Sequence, residues 1–78
     1  MSRVLTLDKL SLGQGGEIIK VAIPRPLSYR YAEMGFCKEA SVKLLRRAPL
    51  GDPLEILLNG YSVCIRKETA KFITVATT

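Results

Sequence analysis

The dipeptide Asn59-Gly60, set between Leu54-Glu55-Ile56-Leu57-Leu58 and Tyr61-Ser62-Val63-Cys64-Ile65, constrains this chain more than any other feature. A two-residue type I′ turn needs positive φ at both central positions, and Asn followed by Gly is the pair that best tolerates it. The flanking alternation predicts a hairpin that turns Leu54, Ile56 and Leu58 inward on one strand and Tyr61, Val63 and Ile65 inward on the other. A slip of one residue would turn all six outward, so the pattern sets the register.

Around this hairpin the chain is punctuated at short intervals. Pro49-Leu50-Gly51-Asp52-Pro53 is a compact turn signal, and before it Val42 and Leu44 share one strand face, with Lys43, Leu45 and Arg47 on the other. Glu17-Ile18-Ile19-Lys20-Val21-Ala22-Ile23 is a β-branched run that must stop at Pro24, which has no N–H for a ladder. Residues 25–35 read as a short helix, with Pro26 in its first turn and Gly35 as the left-handed residue past its end. Leu27, Tyr31 and Met34 form its apolar stripe, while Tyr29, Arg30 and Glu33 point outward. Lys67-Glu68-Thr69-Ala70 makes a helical turn, and Lys71-Phe72-Ile73-Thr74-Val75 is a last strand that buries Ile73 and Val75. In the leading segment Leu5, Leu7, Leu10 and Leu12 surround a short helical turn that Thr6 or Asp8 can cap, ended by Gly13. Residues 1–2 and 76–78 read as frayed ends. The prediction is a mainly β fold, a small partly open barrel of the SH3 or OB kind with about five strands and one short inserted helix.

With 78 residues, the chain reads as one domain over 1–78 that buries about 60% of its open-chain surface. That is enough for a thin core and leaves little room for an enclosed catalytic cavity. Histidine is absent, which removes the commonest general base and the commonest metal ligand together. Cys37 and Cys64 are the only cysteines and neither has a close neighbour of its kind. They cannot build a zinc site, suit a reducing compartment, and read as small buried hydrophobes. Ser11, Ser28, Ser41 and Ser62 have no imidazole to activate them, and Asp52 and Glu55, though close in sequence, lack a cleft to split their pKa values. No enzyme, cofactor or tight metal site is expected. Gly13-Gln14-Gly15-Gly16 superficially resembles a phosphate loop, but a β-branched run follows it where such a loop requires a helix, so it reads as a turn into a strand.

Twelve Lys and Arg against seven Asp and Glu give a formal charge of +5. The charges are scattered, the tightest groupings being Arg46-Arg47 and Arg66-Lys67, so they do not form a polycationic tract. No apolar stretch approaches the roughly 20 residues needed to cross a bilayer, and Asp8-Lys9 interrupts any candidate signal sequence. A cytoplasmic protein without membrane insertion is the expectation.

Leu7-x-x-Leu10-x-x-Gly13, Gly16-x-Ile18, Glu33-Met34-Gly35-Phe36, Ala48-Pro49-Leu50-Gly51-Asp52-Pro53, Ile65-Arg66-Lys67 and Ala70-x-x-Ile73-x-Val75 occur in this order and cover about residues 5 to 75. Together they resemble the FeoA family. That resemblance implies an SH3-like barrel, similar to the C-terminal domain of iron-dependent repressors, that serves as a small accessory component of bacterial ferrous iron uptake. It also implies a partner, the cytosolic portion of the FeoB transporter, which carries a GTP-binding domain. Tyr31-Ala32 stands where the family more often has two leucines.

A binding role places the partner surface on the helix and the turn: Arg25, Tyr29 and Arg30 lie off the apolar stripe, and Leu50 and Asp52 sit in a loop held by a rigid barrel. Leu45, Leu57 and Phe72 fall opposite the core set and are expected to form a patch for weak self-association. Two other readings compete. A nucleic-acid-binding barrel would use Arg46, Arg47, Arg66 and Lys67 with Tyr29, Tyr31 and Tyr61, but the core pattern claims two of those tyrosines and leaves no stacking platform. An iron-sensing domain would have to recruit Asp52, Glu55 and Cys64 without histidine.

Overall fold

A computed structural model describes residues 3–77. Its strands are β1 (Arg3–Thr6), β2 (Gly15–Val21), β3 (Ser41–Arg47), β4 (Leu54–Leu58), β5 (Tyr61–Ile65) and β6 (Ile73–Thr77). Helix α1 (Leu27–Met34) lies between β2 and β3, and the one-turn helix α2 (Lys67–Ala70) lies between β5 and β6. All pairings are antiparallel, in the order β1-β6-β2-β3-β4-β5.

The strands form where the alternation required them. Ile18, Val42, Leu44, Leu54, Ile56, Leu58, Ile65, Ile73 and Val75 are all buried, joined by Leu7 and Leu10 from the leading segment and by Phe36. Asn59 at φ 48 and Gly60 at φ 90 make the expected turn, and Leu58 pairs with Tyr61 across it. Gly15 and Gly16 begin β2 and lead into no helix. A Cβ on Gly16 would lie 2.1 Å from the Ala76 carbonyl oxygen, so glycine is needed for two strands to meet here.

Several expectations are corrected. Residues 3–6 are strand, paired to β6 from Arg3 with Thr77 to Thr6 with Thr74. This added strand carries β6 through Ala76 and Thr77, which are therefore not frayed; Met1, Ser2 and Thr78 lie outside the described residues. The helical turn expected after it is a 3-10 turn over Leu7–Lys9. On α1 only Tyr31 is buried, while Leu27 and Met34 are each 38% exposed. The helix is held by one aromatic anchor, Tyr31 edge-on to Phe36 with ring centroids 5.7 Å apart. Tyr61, at the turn end of an outermost strand, is 76% exposed although its alternation phase is inward.

Arg47 is the most instructive correction. The β3–β4 register shifts between Leu44 and Arg46, so Leu45 is an extra residue and Arg47 returns to the inward phase opposite Leu54. Its guanidinium Nη2 donates to the carbonyls of Asp8 at 3.1 Å and Leu10 at 2.7 Å. The bulge thereby converts a supposed surface cation into a tie between β3 and the 3-10 turn.

Candidate functional site

Helix α1 ends at Gly35, whose φ of 111° is the left-handed conformation expected of it, and its N–H reaches the Ala32 carbonyl at 3.0 Å. With Tyr31 facing in, Tyr29 and Arg30 face out, and Tyr29 is 57% exposed. The Arg25 guanidinium carbon stands 5.7 Å from the centre of the Tyr29 ring. This cation–π contact holds two side chains of the sort that dominate interface energies.

The turn 49–53 is tied at several points. Gly51 N–H donates to Ala48 O at 2.7 Å and Ala48 N–H to Pro53 O at 3.1 Å. Asp52 Oδ1 accepts the Lys67 amide at 2.8 Å, at the start of α2, and Asp52 Oδ2 stands 4.0 Å from the Arg66 guanidinium. From this braced turn Leu50 projects almost bare, at 96% exposure.

The expected contact residues fall on adjoining surfaces. Leu27, Arg30 and Tyr31 form one bank of a groove whose other side is Pro53, Cys64, Ile65 and Arg66; the Asp52–Arg66 pair thus borders the same groove as Arg30. Arg25 and Tyr29 line a second groove, across α1, together with Lys20, Cys37 and Lys38. Leu45 is 38% exposed at the β3 bulge, Leu57 is half-buried opposite Lys43, and Phe72 is 44% exposed just before β6. Lys43 pairs with Gly15 at one end of β2, whereas Val21 at the other end pairs with Ile73. Phe72 therefore lies about 20 Å from Leu57 along the sheet, at roughly 3.3 Å per residue.

Both cysteines are exposed, contrary to the buried placement expected of them. Cys64 shares the outward phase of β5 with Ser62, and Cys37 follows α1 in a loop. Asp52 and Glu55 do not face each other. Glu55 accepts from the Ser62 hydroxyl and Arg46 Nε, each at 2.7 Å. The Ser62 hydrogen bond foremost, and then Arg46, hold its carboxyl below the ordinary carboxylate value. Among the described residues no three Cys, Asp or Glu side chains gather as metal ligands. No helix among them is long and apolar enough to cross a membrane.

Two features escaped the sequence reading. Asp8 is 3% exposed; Thr6 Oγ1 donates to its Oδ1, while Oδ2 has no hydrogen-bond partner. A short polar residue ahead of apolar ones looks the same whether its cap is wet or dry. The groove beside β5 was equally hidden, since it depends on how α1 packs.

The FeoA domain model matches residues 5–77. The solution structure of FeoA from Chlorobium tepidum superposes with a TM-score of 0.84 at 33% identity, over 94% of this chain and 69% of that one. A zinc-complexed FeoA from Stenotrophomonas maltophilia superposes with a TM-score of 0.76 at 25% identity, over 91% of this chain and 88% of that one. That protein is described as a prokaryotic SH3 domain protein and put forward as a ferrous iron transport activating factor. A manganese-dependent transcriptional repressor shares the fold, with a TM-score of 0.84 at 18% identity over 100% of this chain and 44% of the repressor. No curated protein sequence matches the chain.

Proposed function

The chain belongs to the FeoA family, and from that premise we propose that it is a small cytoplasmic accessory protein of bacterial ferrous iron uptake that binds and modulates the cytosolic portion of a FeoB-type GTP-binding transporter. Its docking face comprises the outward side of α1 with Arg25, Tyr29 and Arg30, and the turn with Leu50 and Asp52. One observation carries this assignment: Leu50 is 96% exposed on a turn braced by hydrogen bonds to Ala48, Pro53 and Lys67. A solvated leucine on a stiff support loses little entropy when a partner covers it, which favours a docking role. No catalytic step belongs to this role. Ferrous iron is the transporter's cargo, and no resident metal is assigned to the chain.

Fluorescence anisotropy at two salt concentrations tests the proposal, with labelled chain titrated by the cytosolic portion of a FeoB-like transporter and, separately, by single-stranded DNA. Saturable binding to the transporter portion that survives physiological salt is expected. Binding confined to DNA and collapsing with salt would favour the nucleic-acid reading, because counterion release would then be driving it.

A further inference from the structure

Strand β5 is outermost in the sheet, and β4 pairs with only one of its edges. In a two-residue hairpin the residues flanking the turn form a hydrogen-bonded pair, so Leu58 with Tyr61, Ile56 with Val63 and Leu54 with Ile65 are the pairs that exchange ladder bonds. The N–H and C=O groups of Ser62 and Cys64 consequently point away from β4. Among the described residues neither N–H meets a backbone or side-chain acceptor. Native edge strands are usually blunted by proline, lysine or a covering element, yet Tyr61-Ser62-Val63-Cys64-Ile65 has neither residue. Beside the end of β5 away from the hairpin turn, a groove lies between Leu27, Arg30 and Tyr31 of α1 on one side and Pro53, Cys64, Ile65 and Arg66 on the other. The groove's charged lining is Arg30 and Arg66, and the bordering carboxylate of Asp52 is taken up by the Lys67 amide at 2.8 Å and stands 4.0 Å from Arg66, which leaves Arg30 without a carboxylate partner among the described residues.

We infer that this groove takes an extended acidic segment of a partner protein, which adds as a strand to the free edge of β5. The Ser62 and Cys64 amides supply the ladder, Leu27 and Tyr31 receive an apolar side chain, and Arg30 and Arg66 pair with carboxylates at the rim. The inference rests on the reading of the α1 face as the docking face, and it names the chemistry of the segment that reaches beside it.

The test uses the isotopically labelled chain and a blocked hexapeptide of alternating Glu and Val, followed by amide NMR. Peptide addition is expected to shift the Ser62 and Cys64 amides and slow their exchange. Arg30→Glu, at an exposed position, should weaken binding at least about threefold, the scale of an exposed ion pair. Two further peptides, N-methylated on all Glu or all Val amides, leave the protein's folding out of the question. Since strand addition uses one peptide edge, loss of binding in at least one of them supports the inference, and unchanged binding in both overturns it. Equal binding of a Gln and Val peptide overturns the acidic assignment. Absence of binding at millimolar peptide, or shifts confined to other strands, overturns the inference outright. So does concentration-dependent protection of the two amides without peptide, which would make the occupant a second copy of the chain. A parallel titration with the transporter portion separates the two proposals: shifts at Tyr29 and Leu50 without any at Ser62 and Cys64 preserve the transporter reading and remove the added strand. Peptide binding at β5 with no transporter binding does the reverse.

Discussion

Gly16 and Gly13 show how differently two glycines can be required. At Gly16 a methyl group would collide with the Ala76 carbonyl on β6, an approach of 2.1 Å to rigid backbone. Gly16→Ala should therefore cost about 3 kcal/mol or more, a fall in Tm of at least about 12 °C in a domain of this size. At Gly13 nothing lies within 4 Å and only the φ of +80° disfavours a side chain, so Gly13→Ala should cost about 1 kcal/mol. Thermal denaturation of the pair checks the ordering, and equal losses would contradict it. Glu55 gives a prediction in pH. Its folded pKa lies below its ordinary value of 4.5, mainly through the Ser62 hydroxyl and then Arg46. A depressed carboxylate stabilises the fold above its unfolded value and loses that contribution as pH falls through the folded one. Glu55→Gln should lower Tm at neutral pH and converge on the wild type in acid; a constant difference down to pH ~3, where ordinary carboxylates are mostly protonated, would show that the ion pair contributes nothing.

The hairpin between β4 and β5 was legible because its turn chemistry is local: Asn59 and Gly60 take the positive φ values that their side chains allow. The side-chain brace from its turn to β3 was not, because Asn59 Oδ1 accepts the Ser41 amide at 2.9 Å only once β3 and β4 are paired. Asn59→Gly keeps the backbone freedom and loses only this bond, a cost of about 1 kcal/mol. Asn59→Ala loses the bond and adds left-handed strain, about 2 kcal/mol in all; an Asn59→Gly variant as stable as the wild type in chemical denaturation would show that the turn does not lean on β3 through this side chain. The bulge at Leu45 was missed for a related reason. Period-two reading assumes an unbroken ladder, so it sent Arg47 outward, whereas the inserted residue turns it toward Asp8 and Leu10. Arg47→Met, which keeps the length without the donors, should cost roughly 2 to 3 kcal/mol for two charge-assisted bonds to carbonyls. A loss below about 0.5 kcal/mol, the level of ordinary surface substitutions, would mean that the tie is ornamental. Helix α1 was read over residues 25–35 and forms over Leu27–Met34, with Pro26 and Gly35 as its caps; its stripe of Leu27, Tyr31 and Met34 is regular, but only Tyr31 reaches the core.

For the molecule as a whole, a mainly β barrel followed from short apolar alternations separated by glycine and proline, which leave no room for long helices, whereas the choice of an SH3-like over an OB-like barrel came from the resemblance to the FeoA family. The outermost strand β1 was not foreseen, because Arg3-Val4-Leu5-Thr6 is too short for its period to declare itself and takes its strand state from pairing with β6. For the proposed contact residues only their exposure was legible. Tyr29 and Leu50 could be named because no structural duty claimed them, and they are 57% and 96% exposed. The grooves that group Arg30 with Arg66, and Arg25 with Tyr29, exist only once α1 is placed on the barrel. The central claim, that α1 and the braced turn form the face that meets the transporter, is tested most directly by titrating the cytosolic portion of a FeoB-like transporter with the wild-type chain and with Tyr29→Ala, Arg30→Ala and Leu50→Ala, each first shown to be folded. The account predicts that Leu50→Ala and Tyr29→Ala each weaken binding by at least about tenfold, since hot-spot truncations commonly exceed 1.4 kcal/mol. Wild-type affinity in all three folded variants would contradict it and move the interface to the strand face that carries Leu45 and Leu57.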